Sequence, residues 1–381
     1  MTSTTTLPAP LLTCDIFCRV VDNFGDIGVA WRLARQLSLE YSIRVRLIVD
    51  DLKSMHALVP EVIDERALQM VDGVEIVAWR DSTPINNPAA LVIEAFACEL
   101  PADFLSAMAE VQPRPTWINL EYLSAEPWVA AHHLMPSPHP VLPLIRHFYF
   151  PGFSADTGGL LCENSLMVAR DTTAFGSHAH RPKILVFGYE NAPVEALCDV
   201  VLKVGNGFAI NVVESELLEK LQHRRGFPGE NTPNGAPVLE FGIVPFVPLA
   251  EFDLLLWQHD ILFVRGEDSF VRAQWAARPF IWHAYPQAES AHLAKLNAFL
   301  DLYCEHLDAP AARALRALWL AWNTPSPSNV AQAWQAFVAH LPVLNAHALK
   351  WAKSLRAMPD LASQLLSFRA KNAKIQGFAQ P

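Results

Sequence analysis

No stretch of this 381-residue sequence offers the ~18–20 uninterrupted apolar residues of a membrane-spanning helix, because charge or proline breaks the longest runs. Met1–Pro10 has neither a positive n-region nor a continuous apolar h-region, and reads as a short floppy tail rather than a secretory signal. Cysteines are few (Cys14, Cys18, Cys98, Cys162, Cys198 and Cys304), and none forms a CxxC pair. That pattern argues against a disulfide framework and for reduced, mostly buried thiols in a cytoplasmic protein. HExxH, Cys/His metal spacing and DxD segments are all missing. His132, His133 and His139 therefore read as surface or packed histidines, and no metal is expected. A basic footprint is missing too. The net charge of −10 disfavours a nucleic-acid partner and suits a substrate that offers a cation.

What is present is apolar bulk. Half of the chain is hydrophobic and only 18% is charged, which is enough for two buried cores, and the length suits two domains. Strand signals at Thr13–Val21, Val45–Val49, Val74–Trp79, Ala90–Ala95 and Thr116–Leu120 accompany a helical period over Val29–Glu40. Their continuous apolar character predicts parallel strands covered on both faces. Ala155–Arg181 carries few periodic signals, and a linker near 175–182 is the expected boundary between domains 1–178 and 179–356.

A second alternating series follows. Strands are predicted at Lys183–Phe187, Phe208–Val213, Val238–Ile243, Ile261–Val264 and Phe280–His283. Helices are predicted at Pro193–Val204, Pro248–Gln258 and Ser269–Ala276. Arg224–Pro237, rich in Gly, Pro and Asn, reads as an exposed loop, and everything after Gln287 looks helical. The fold class is α/β: two Rossmann-like domains facing each other across a cleft, with a helical C-terminal tail.

The first loop, Asp22-Asn23-Phe24-Gly25-Asp26-Ile27-Gly28, lies where the first strand hands over to the first helix. Ligands of parallel sheets bind at that edge. Gly25 and Gly28 allow close approach of backbone to a ligand, and the helix N-terminus supplies free amides. GxGxxG is absent, although Asp50 or Asp51 stands where a ribose-binding acid would, which leaves an NAD-dependent oxidoreductase as an alternative. Asp22 and Asp26 would repel a pyrophosphate here and make better sense facing an acceptor and a reacting sugar carbon. The bland reading makes Asp22 and Asn23 turn formers and Asp26 an N-cap.

The second loop, Arg265-Gly266-Glu267-Asp268-Ser269, again joins a strand to a helix. Asp268 or Ser269 can cap that helix. Beyond capping, its amides make an anion site for a diphosphate, Arg265 can grip phosphates, and Glu267 can accept hydroxyl hydrogen bonds. Phe246 and Phe252 flank a turn upstream and offer faces on which a pyrimidine can stack, although each alone reads as core. Tyr189, Tyr285 and Gln287 are further loop-edge candidates, while Trp275 and Trp282 are assigned to packing.

Taken together, Asp22-Asn-Phe-Gly-Asp-Ile-Gly-Val-Ala-Trp-Arg-Leu-Ala-Arg35 and Arg265-Gly-Glu-Asp-Ser-Phe-Val-Arg-Ala-Gln-Trp275 closely resemble the EarP family of bacterial protein-arginine rhamnosyltransferases. Pro279-Phe-Ile-Trp282 and Tyr285-Pro-Gln287 match as well, and the likeness runs through most of the chain in order. The resemblance implies a GT-B glycosyltransferase that takes L-rhamnose from dTDP-β-L-rhamnose with inversion. It implies an arginine of translation elongation factor P as acceptor; with Arg265 and the helix amides to balance the charge of the departing dTDP, no metal is required, and the broken apolar runs give no membrane partner. By position, Asp26 matches the general base, and Asp22 and Glu267 match further essential acids. Phe246 and Phe252 match thymine-binding aromatics, and Arg265, Asp268 and Ser269 match the diphosphate site. Tyr189, Tyr285 and Gln287 match donor-pocket positions, and Asn23 and Gly25 lie in the same motif. The resemblance further implies that the last helix, over 357–377, crosses back onto the N-terminal domain. Other readings left by the residues alone are a GT-B enzyme with a small-molecule or lipid acceptor and a nucleotide-binding regulator without catalysis.

Overall fold

The β-branched runs of the first half pair into one eight-stranded sheet in the computed structural model, which describes residues 12–21, 24–80, 85–173, 181–204, 207–222, 240–287, 290–324 and 329–378. The Met1–Pro10 tail, Asp22, Asn23, most of the 175–182 stretch and the Arg224–Pro237 loop lie outside the described residues. The strands are β1 (Thr13–Cys18), β2 (Arg44–Val49), β3 (Leu68–Val71), β4 (Val74–Ala78), β5 (Leu91–Ala95), β6 (Thr116–Leu120), β7 (Pro136–Pro138) and β8 (Ile145–Tyr149). They lie in the order β3-β4-β2-β1-β5-β6-β8-β7. The six inner strands are parallel, with Ile16 in register with Leu47 and Ile93. The side chains of β1, β5 and β6 are buried on both faces, which is why these runs read as continuously apolar. Antiparallel β3 and β7 close the two edges.

The second sheet contains β9 (Lys183–Val186), β10 (Ala209–Val213), β11 (Glu240–Val244), β12 (Ile261–Arg265) and β13 (Phe280–His283), all parallel, in the order β11-β10-β9-β12-β13. Strand order reverses between β1 and β5 in one sheet and between β9 and β12 in the other. A doubly wound sheet opens a crevice at the C-terminal ends of such strands. Both loops singled out in the sequence leave from those ends.

Helices α1 (Gly25–Tyr41), α2 (Leu52–Leu58), α3 (Ala102–Glu110), α4 (Trp128–His132) and α5 (Asn164–Thr172) accompany the first sheet in sequence. The second carries α6 (Val194–Val204), α7 (Glu216–Gln222), α8 (Leu249–Trp257) and α9 (Asp268–Ala276). The tail folds into α10 (Ala291–Tyr303), α11 (Ala309–Asn323), α12 (Val330–Ala339), α13 (Leu341–Arg356) and α14 (Leu361–Phe378). Trp319, Trp322 and Trp334 from α11 and α12 are fully buried in the second domain's core. Helix α14 returns to the first sheet: Leu361, Ala362 and Leu365 enter its core, Leu361 N–H donates to Leu160 O at 2.9 Å, and Phe368 packs edge-on against His147.

Several elements differ from the sequence-based expectation. β1 stops at Cys18, three residues short, because the chain turns toward α1. That helix starts four residues earlier than its apolar period, since its first turn is glycine and aspartate. Within the supposedly irregular Ala155–Arg181, α5 forms behind Glu163. All six cysteines stand outside disulfides, with burial pushing the thiols of Cys98 and Cys162 up to about 12.

Candidate active site

Helix α1 begins at Gly25 with Phe24 as N-cap and no side-chain cap. Asp26 therefore stands inside the first turn and is not the N-cap of the bland reading. Its Oδ2 accepts the Val21 N–H at 2.9 Å, which ties the helix start to the end of the β1 loop. Although only 2% exposed, Asp26 lines an open cavity of about 250 Å³ between the two sheets.

Gly25 and Val21 border the same cavity, and Phe96 and Tyr122 line it from the ends of β5 and β6. These two rings stack at 4.5 Å with planes 18° apart. The second domain contributes Gly266, Glu267, Trp282, Tyr285, Gln287 and Lys295. Glu267 bridges the halves: Oε2 accepts the Leu123 N–H at 3.0 Å, and Oε1 accepts from Lys295 Nζ at 2.7 Å. Tyr285 is more than half exposed, and the Gln287 N–H donates to His292 Nδ1 at 3.2 Å.

A second, tighter cavity of about 70 Å³ opens on the other side of Glu267. Phe187 and Tyr189 follow β9, Phe246 follows β11, Phe252 comes from α8, and Arg265, Asp268 and Ser269 come from the β12–α9 turn. Six donor-side candidates from four segments, namely Tyr189, Phe246, Phe252, Arg265, Asp268 and Ser269, thus line one space. The Arg265 guanidinium lies over the rings of Phe187 (4.6 Å) and Tyr189 (4.9 Å), a placement that cation–π attraction favours. Phe252 meets Phe187 edge-on, and Phe246 reaches across the cleft to Phe24 at 5.2 Å.

The turn itself depends on Gly266, whose φ of +65° is costly for any residue with a Cβ. Trp282, assigned to packing, also does a second job: its Nε1 donates to Gly266 O at 2.8 Å while its ring stacks on Phe270. Ser269 Oγ donates to the Arg265 carbonyl and closes the turn from within. His283 accepts the Tyr189 N–H at 3.2 Å, and burial, reinforced by Arg265, holds its pKa down to about 3, so it is neutral at pH 7. The tempting histidines are spent locally: His133 Nδ1 accepts from the Phe150 N–H, and His139 Nδ1 from that of Leu142.

Sequence reasoning missed what lies directly behind these cavities. Arg32 on α1 grips Glu163 with two hydrogen bonds (2.8 and 2.5 Å) and Asp268 with a third (2.6 Å). Arg272 on α9 holds Asp268 at 2.8 Å and also pairs with Asp253. All five side chains are buried. Burial opposes ionisation of Asp268 and Glu163, but the arginines outweigh it and hold both carboxyls below the usual range. Burial prevails at Asp253, whose carboxyl is pushed up and whose Oδ1 has no hydrogen-bond partner. The carboxylate of Asp268 is thus committed to two arginines, and what it has left to offer a diphosphate is its backbone N–H. Arg32 sits inside the motif quoted above, yet no local signal tells a buried arginine from a surface one.

Comparison with known proteins bears on the family and the fold. A family model described as "Elongation-Factor P (EF-P) rhamnosyltransferase EarP" matches residues 14–370. A protein-arginine rhamnosyltransferase of Pseudomonas putida KT2440 is 42% identical over 374 residues, covering 93% of this chain and 98% of the relative. A solved structure of EarP-mediated arginine glycosylation of translation elongation factor EF-P is 33% identical with a TM-score of 0.62, covering 94% of this chain and 99% of that one. The spinosyn rhamnosyltransferase SpnG, at 12% identity and a TM-score of 0.51 over 94% of this chain and all of its own, shares the GT-B fold. With relatives this similar over nearly its whole length, the chain belongs to the EarP family of elongation factor P rhamnosyltransferases.

Proposed function

We propose that this chain transfers L-rhamnose from dTDP-β-L-rhamnose to an arginine side chain of elongation factor P, inverting the anomeric centre and using Asp26 as the base. Arginine rhamnosylation of elongation factor P is the activity of its family. The observation that carries the residue roles is the meeting of two cavities at Glu267, one aromatic with Arg265 and the other acidic with Asp26. A sugar held by its diphosphate in the first presents its anomeric carbon toward the second.

On the donor side, the aromatic rings suit a thymine face, and the guanidinium of Arg265 suits the diphosphate. The first amides of α9 have no partners within the helix and add their partial positive charge. Together they take up the negative charge of the departing dTDP.

On the acceptor side, the obstacle is the nucleophile. The lone pairs of a guanidinium are delocalised, and the group stays protonated. An aspartate at a reference pKa of ~3.9 facing a guanidinium at ~12.5 is uphill by roughly 9 units, or ~12 kcal/mol. No aspartate strips that proton beforehand. The proton leaves as the C–N bond forms, when the nitrogen turns acidic, and Asp26 receives it. Glu267 orients the guanidinium through hydrogen bonds so that the attacking nitrogen points at the anomeric carbon. A single displacement from the face opposite dTDP inverts that carbon. The soluble two-domain fold suits a cytoplasmic acceptor.

Intact-mass analysis of elongation factor P after incubation with this chain and dTDP-β-L-rhamnose tests the reading. A gain of one deoxyhexose, mapped by fragmentation to one arginine, is expected. An unmodified factor, or sugar on a hydroxyl side chain, would refute it.

A further inference from the structure

Both oxygens of Glu267 are engaged, one by the Leu123 N–H and the other by Lys295 Nζ. Lys295 stands on α10 and reaches into the acidic cavity. Its ammonium lies 2.7 Å from Glu267 Oε1 and 5.8 Å from the centre of the Tyr122 ring, which Phe96 backs by stacking. A cation is thus seated between a carboxylate and an aromatic face, in the cavity that Asp26 also lines. A guanidinium asks for the same surroundings, since it pairs with carboxylates through parallel N–H groups and stacks on aromatic rings. Lys295 and an acceptor arginine cannot both hold Glu267 Oε1 in this way.

We propose that Lys295 is a built-in placeholder for the acceptor arginine: its ammonium fills the cation seat formed by Glu267 and Tyr122 until the acceptor's guanidinium displaces it. The proposal rests on the arginine-acceptor reading above. Lysine suits the task better than arginine. It is a point charge without a fork, on a flexible stem, so it yields to a ligand that makes two directed bonds to one carboxylate. Its side chain is 24% exposed, which leaves it a route toward solvent once displaced. The consequence is selective. A neutral hydroxyl or water does not compete for a carboxylate already paired with an ammonium, whereas a guanidinium does. The apparent acceptor affinity is lowered by the fraction of molecules in which the seat is taken.

The test is steady-state kinetics of the full chain, with saturating dTDP-β-L-rhamnose and varied elongation factor P, alongside calorimetric donor binding. Lys295→Met removes the competitor, and the acceptor KM is expected to fall about two- to fivefold, the range for a partly exposed ion pair, with donor affinity retained. Lys295→Arg puts a stronger competitor on a similar stem, and the acceptor KM is expected to rise. A raised acceptor KM or a depressed kcat in Lys295→Met would show instead that Lys295 positions Glu267, and would overturn the proposal. Weakened donor binding in both variants would assign Lys295 to the diphosphate and overturn it too. If Lys295→Met fails to fold, Lys295→Arg decides alone: an unchanged or lower acceptor KM rejects the placeholder. Failure of the parent reading is visible separately, because the unmodified chain would then place no deoxyhexose on arginine.

Discussion

The two cavities share Gly25, Gly266 and Glu267 yet have opposite character. One is tight and aromatic and carries the cation Arg265. The other is roomier and carries the carboxylates of Asp26 and Glu267 together with a seated ammonium. The contrast teaches how one cleft handles a reaction whose partners carry opposite charge. On the proposed function, the anionic diphosphate would be met by a cation and helix amides, and the cationic guanidinium by carboxylates and an aromatic face. Glu267 stands on the boundary, placed there by the left-handed turn at Gly266.

Substitutions that act on one side only sharpen this comparison, and a substitution behind both sides breaks it. The largest effect is expected from Asp26→Asn, which keeps the shape and removes the proposed base. Turnover should fall by roughly 10²–10⁴-fold, as general-base losses do, with donor affinity kept. Rapid-quench assays beside calorimetry separate the two. Next comes Arg32→Met, behind both cavities. Removing Arg32 strips buried Glu163 of its paired cation and leaves Asp268 with Arg272 alone, at a cost of about 3–5 kcal/mol. Urea unfolding should show that loss, and donor affinity and turnover should fall together, because Arg32 joins α1 to α9. The smallest of the three is Arg265→Ala, on the donor side alone. Losing hydrogen bonds from a charged group costs about 1.5–3 kcal/mol, or roughly 10- to 150-fold in donor affinity. Turnover at saturating donor should suffer less than in Asp26→Asn.

Much of this was legible in the sequence for identifiable reasons. Strands rich in apolar residues announce themselves in the sequence, so β1, β2, β4, β5 and β6 and all five strands of the second sheet stood out to within a few residues. Three strands of the first sheet did not: β3 alternates exposed and buried residues over only four positions, β7 is a three-residue Pro-Ser-Pro pairing, and β8 is broken by Arg146 and His147. Short strands of that kind carry no period. The donor side was readable because aromatics and an arginine at strand ends are unusual in a chain with few charges. Lys295 and Tyr122 were not, since a lysine on an amphipathic helix and a tyrosine after a strand look like ordinary surface until the fold brings them to Glu267. The Arg32–Asp268–Arg272 cluster was hidden for a related reason. Arg32 and Asp268 lie 236 residues apart, and only packing turns the three into a single network.

The most direct test of the account is a single turnover with donor already bound. Asp26→Asn protein loaded with radiolabelled dTDP-β-L-rhamnose, to the same occupancy as the unmodified chain, is mixed with elongation factor P. The account predicts that label passes to an arginine in the unmodified reaction and stays on the nucleotide in the variant. Label reaching that arginine at an equal rate from both proteins would contradict it.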